Sequence, residues 1–140
     1  DDFLIALSEA LVLSGIAMGI AGTSRPCSGA CHEISHAIDL LYPDRTKPHG
    51  EQVGVGALFA TFLRDGQENF DELAFALAQH DLPLTHIDLG FNDEEFAEII
   101  DKAPTTRPDR FTILEHLNLN KDQIKIKIKE FNEAIKSLDI

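Results

Sequence analysis

Positive charge is scarce in this chain. Its 140 residues carry 12 Lys and Arg against 24 Asp and Glu, a formal charge of −12. A nucleic-acid footprint needs a basic face, and anionic bilayers attract basic segments, so this balance excludes both as partners. Cysteine is nearly absent as well. Cys27 and Cys31 stand one helical turn apart around Gly29, which is not the spacing of a disulfide framework. The apolar start, DDFLIALSEALVLSGIAMGI, has Asp1 and Asp2 where a secretory signal would have basic residues, and Glu9 interrupts it. It is expected to be a buried core helix, with no membrane insertion and a cytoplasmic location. No glycine-rich phosphate loop of the dinucleotide or P-loop kind occurs. A nucleotide cofactor, if one is used, must be held mostly by other polypeptide. Fixed-period repeats and low-complexity tracts are also lacking.

What the chain does contain is helical periodicity. Its length suits one domain with a real core. Residues 3–21 form a first candidate helix. After the breakers of GTSRPCSG, Ser28 is placed to cap a second helix running to about Leu41. YPDRTKP is a proline-bounded loop, and a third helix runs from near Gly50 to Asp65 and Gly66. Phe70, Leu73, Ala74, Leu77 and Ala78 make an amphipathic stripe, with His80 at its end. Asn92 and Glu95 spell a capping box ahead of Phe96, Ile99 and Ile100. The run IKIKIK alternates like a strand, but Ile124, Ile128, Phe131, Ile135 and Leu138 recur in steps of four and three. That seam predicts a helix opened by Asn120. The expected class is all-α, a helical bundle.

The conspicuous motif is His32-Glu33-Ile34-Ser35-His36, a literal H-E-x-x-H. On a helix this pattern belongs to zinc proteases, in which two His bind Zn and the Glu polarises a water. The metzincin extension fails, because Asp39 and Tyr42 stand where its Gly and third His belong. No strand edge is visible to receive a peptide. A protease is therefore the minor reading. The bland alternative, that these are ordinary structural histidines, is weakened by His49. It lies between Pro48 and Gly50 at the start of the next helix. A helix start and a neighbouring helix face can converge, and two imidazoles with a carboxylate form an open Zn or Fe site.

SRPCSGACHEISHAIDLLYP followed by KPHGEQVGVG resembles the C-terminal domain of glycerol-1-phosphate dehydrogenases, in the dehydroquinate synthase-like, iron-containing alcohol dehydrogenase superfamily. KAPTTRPDRFTILEHLNL is similar to that group's segment near the C-terminus. The resemblance implies that residues 1–140 are the C-terminal metal- and substrate-binding domain of a longer, homo-oligomeric enzyme whose N-terminal nucleotide-binding domain is absent from this chain. It implies Zn2+ or Fe2+ held by His32 and His49, with a third, aspartate ligand upstream. His36 would lie by the reacting centre and Glu33 would be incidental. The substrate would be a small phosphorylated ketone or polyol, reduced with NAD(P)H in a step of phospholipid biosynthesis. Arg25, in the loop before the metal helix, is the candidate contact to the substrate phosphate. Arg107 and Arg110 are expected to tie a loop to the bundle. Cys31 replaces the Glu that relatives often carry before the first His. Lacking the cofactor domain, the isolated chain should be inactive. A lyase of the dehydroquinate or deoxy-inosose synthase type, or a non-catalytic helical domain, would keep the same fold.

Overall fold

In the computed structural model, residues 2–66 and 69–140 are described, and Asp1 lies outside them. Among the described residues there are seven α-helices and no strand. They are α1 (Asp2–Ala21), α2 (Ala30–Leu41), α3 (His49–Asp65), α4 (Phe70–Ala78), α5 (Asp93–Lys102), α6 (Ile113–Leu117) and α7 (Lys121–Ser137). Short 3-10 turns at Arg25–Cys27, Pro43–Arg45 and Ala103–Thr106 join them. The all-α class is as expected.

Helix starts follow side-chain chemistry. The Asn92 side chain accepts from Glu95 N–H while Glu95 reaches back to the Asn92 amide, the predicted capping box of α5. Asn120 and Gln123 do the same for α7. Thr112 and Glu115 do so for α6, a Thr-x-x-Glu signature that sequence reasoning passed over. Ser28 is not the cap of α2, because Gly29 takes that position. His80 lies beyond the end of α4, which stops at Ala78, so its expected place on that helix's last turn is not realised.

The core is aromatic. Phe59 of α3 meets Phe96 of α5 and Phe131 of α7, each at a centroid distance of 5.3 Å and edge to face. Phe70 of α4 closes on Phe131 at 6.0 Å. Burying each such ring stabilises the fold by about 2–3 kcal/mol. Ile34, Ala37 and Ile38 of α2 and Val55 and Leu58 of α3 are fully buried, so the two helices that carry the histidines are packed against each other and into this core. In α7, Ile124, Ile128 and Phe131 are buried and Ile126 is exposed. The three-and-four seam decides this segment, and the local alternation does not.

The expectation of a buried first helix is overturned. No residue of α1 is buried, and Phe3, Leu4, Leu11, Val12, Leu13, Ile16 and Ile20 are exposed. The reason is geometric. Its apolar side chains lie all round the helix, and a helix of that kind needs cover on every side, which α2–α7 do not supply. Phe3 stacks on His80, and the Cys27 thiol lies against the Ser14 carbonyl. By length and composition α1 could also cross a membrane, a test that core helices pass as well.

Candidate functional site

Pro48, with φ −46° and ψ 131°, sets the chain direction so that His49 becomes the first residue of α3. Four residues of separation put His32 and His36 on one face of α2. The two helices bring all three rings together. His49 lies 5.3 Å from His32 and 6.0 Å from His36, centroid to centroid.

Ring nitrogens show which of these could hold a cation. His32 Nδ1 sits 3.2 Å from the Cys31 thiol, and His49 Nδ1 sits 2.9 Å from Ser35 Oγ. Each therefore has its Nδ1 engaged by a neighbour, and among the described residues neither Nε2 makes a hydrogen bond. Metal-ligating histidines are commonly oriented in this way by a partner on the other nitrogen. His36 differs: its Nε2 lies 2.9 Å from Arg107 Nη2. Burial lowers the pKa of His32, with the neighbouring His49 and His36 adding to the effect. Burial and then Arg107 lower that of His36. Both shifts favour neutral rings, the form that binds metal.

Behind His49 stands a buried polar relay. Gln52 is 1% exposed. Its amide nitrogen donates to Ser35 Oγ at 2.9 Å and to Asp39 Oδ1 at 3.0 Å, while its oxygen accepts from Lys47 N–H at 2.9 Å. These partners fix the amide's orientation, since the flipped form would face the Asp39 carboxylate with an oxygen. Gln52 was not among the sequence candidates. A signal was present, however: an amide occupies the buried stripe of Gln52, Val55, Gly56 and Phe59.

The segment from Thr106 to Thr112 straps α2 from the other side. Arg110 donates to the Ser28 carbonyl at 2.8 Å and to Ser24 Oγ at 2.9 Å. Thr112 donates to Glu33 Oε2 at 3.0 Å. Arg107 and Arg110 thus do tie this loop to the bundle. Glu33, expected to be incidental, is a buried strut only 1% exposed, and burial pushes its carboxyl up to about 7. A carboxyl enclosed in this way cannot polarise a water between His32 and His36, so the protease arrangement of H-E-x-x-H is not formed. Burial likewise raises the Cys31 thiol pKa, which favours the protonated thiol. Arg25 is not drawn into the histidine group. Its Nη2 donates to the Asp109 carbonyl oxygen and lies 3.4 Å from the Asp109 carboxylate.

Among the described residues, no set of three or more His, Cys, Asp or Glu side chains could hold a metal ion. Within those residues the His32 and His49 imidazoles stand together without a third ligand grouped with them.

No family model matches the chain. Individual relatives do. It is 45% identical over 109 residues to a glycerol-1-phosphate dehydrogenase [NAD(P)+] of Haloquadratum walsbyi, a match covering 77% of this chain and 31% of that protein. Its identity to the protein of the same name from Methanosarcina mazei is 43% over 106 residues, with coverages of 76% and 29%. With that of Sulfurisphaera tokodaii it shares 41% over 108 residues, with coverages of 77% and 30%. The chain spans under a third of the length of these curated relatives, and it is a homologue of their C-terminal part.

Proposed function

We propose, from this homology, that the chain is the metal- and substrate-holding domain of an NAD(P)-dependent dehydrogenase that reduces dihydroxyacetone phosphate to glycerol 1-phosphate. The observation that carries the reading is the convergence of His32 and His49 from two helices, each with Nδ1 engaged and, among the described residues, Nε2 without a hydrogen-bond partner.

His32 and His49 would hold Zn2+ or Fe2+ through those nitrogens, with the third ligand supplied by polypeptide outside the described residues. The bound cation supplies Lewis acidity at the substrate carbonyl. NAD(P)H, held mainly by a nucleotide-binding domain outside this chain, supplies the hydride. His36, beside His49, is placed to orient the reacting groups or to hold a proton. Arg25 is the phosphate contact in this scheme. Its side chain is 55% exposed, and nitrogens other than the one facing Asp109 remain free for a bidentate contact. The same nucleotide-binding domain, or a second copy in a homo-oligomer, would cover the exposed apolar surface of α1. The reading implies a cytoplasmic enzyme.

The test begins with the mass of the native polypeptide. The reading expects a product about two to three times longer than these 140 residues, beyond the size of a single ordinary domain. In that protein, His49→Ala should abolish both metal retention and reduction of dihydroxyacetone phosphate. Glu33→Gln, which keeps the shape of the strut, should retain most activity. Loss of activity in Glu33→Gln, with activity kept in His49→Ala, would overturn the assignment of His32 and His49 as the metal ligands. Conversion of a sugar phosphate with the nicotinamide returned to its starting state would move the chain to the lyase class.

A further inference from the structure

His36 is the histidine of the cluster that the paired-nitrogen pattern leaves out, and Arg107 is the residue that sets it apart. The two are 71 residues apart in sequence, and the guanidinium Nη2 lies 2.9 Å from His36 Nε2. A guanidinium has donors only and keeps its proton at any accessible pH. His36 Nε2 must therefore be the acceptor, with its lone pair directed at Arg107. The ring is then neutral, and its one proton resides on Nδ1.

We propose that Arg107 is a positioning residue for the candidate metal centre: by donating to His36 Nε2 it locks His36 in the Nδ1–H tautomer, keeps it out of the ligand set, and leaves it as an N–H donor beside His32 and His49. The part that concerns metal rests on the functional reading above; the tautomer assignment does not. A spare imidazole beside two ligating ones would otherwise compete for the cation and close the position that substrate needs. Arg107 sits on the strap that also holds Glu33 through Thr112 and Ser28 through Arg110. Its guanidinium is thereby delivered to His36 by a segment anchored at Ser28, just before α2, and at Glu33 in its first turn, and not by a free loop.

The experiment is a long-range proton–nitrogen NMR correlation on the histidine rings of the full 140-residue chain, at mildly alkaline pH where the rings are neutral. The expected result is His36 with a protonated Nδ1 and a bare Nε2. Arg107→Ala should shift His36 toward the Nε2–H tautomer. Arg107→Lys, which retains a donor-only cation, should restore the Nδ1–H form in part. A purely structural role would leave the tautomer unmoved in all three proteins. Zn2+ is then added: in the unsubstituted chain the Nε2 signals of His32 and His49 should move and those of His36 should not, whereas in Arg107→Ala His36 should respond too. Finding Nε2–H at His36 in the unsubstituted chain, or no change on Arg107→Ala, overturns the proposal. A Zn2+ titration that moves none of the three rings overturns the metal reading and leaves the tautomer result standing.

Discussion

Gly56 of α3 lies against the backbone of Cys31 in α2. A Cβ at Gly56 would come within 2.9 Å of the Cys31 carbonyl oxygen and 3.0 Å of its Cα. This close approach fixes how near the two histidine-bearing helices stand. Gly56→Ala offers about 1 kcal/mol of helix propensity, but the opposing atoms are backbone and cannot swing away. Overpacking costs about 1–3 kcal/mol, so the expected outcome is net destabilisation. Urea titration should show a lower midpoint with an unchanged slope. Zn2+ binding should weaken with it, because separating α2 from α3 separates His32 from His49. A midpoint equal to or above that of the unsubstituted chain would show that the helices have room to spare.

Gln52→Leu removes the relay behind His49 while filling its volume. Ser35 Oγ, Asp39 and the Lys47 amide each lose a partner. The expected stability loss is about 1–2 kcal/mol. On the proposed function, metal affinity should fall by about 10–100-fold, the usual range for a lost supporting contact to a ligating histidine. Isothermal titration with Zn2+ reads this directly. Unchanged affinity would mean that Ser35 alone orients His49.

Acid stability should depend on Arg45 and Glu95. Arg45 donates to Glu95 Oε1 at 2.7 Å and lies over the rings of Tyr42 and Phe91 at 5.1 and 4.6 Å. The Arg45 hydrogen bond, followed by that of the Asn92 amide, pulls Glu95 down to about 2 from 4.5. A depressed carboxyl contributes stability that is present above its unfolded value and is lost as pH falls through its folded one. The contribution of this pair should therefore drain away between pH 4.5 and about 2. Glu95→Gln should flatten that part of the curve in acid-unfolding experiments followed by circular dichroism. A curve of identical shape would remove Glu95 from the account.

Deleting residues 1–22 should leave the unfolding midpoint of the remaining chain nearly unchanged, since no residue of α1 is buried. The same deletion should abolish most binding of a dye that reports exposed apolar surface. A substantial drop in midpoint would show that α1 packs on the bundle in solution.

The all-α class and the identities of the converging histidines were legible from the chain itself, because periodicity and capping are local. Apolar residues three and four apart declare α5 and α7, and Asn92 with Glu95 or Asn120 with Gln123 declares where each begins. Pro48 before His49 announces a helix start. Three features were settled only by the tertiary structure. Arg107 reaches His36 across 71 residues, Arg110 reaches Ser28 across 82, and Thr112 reaches Glu33 across 79. No local pattern encodes those distances; they exist only once α2, α3 and the strap have packed. The same holds for Glu33, whose place in H-E-x-x-H suggests chemistry while its burial makes it a strut. It holds as well for α1, whose composition predicts burial but whose exposure reflects the lack of any partner face on α2–α7. Sequence determines which faces want to be covered, and only the packed chain decides which of them are.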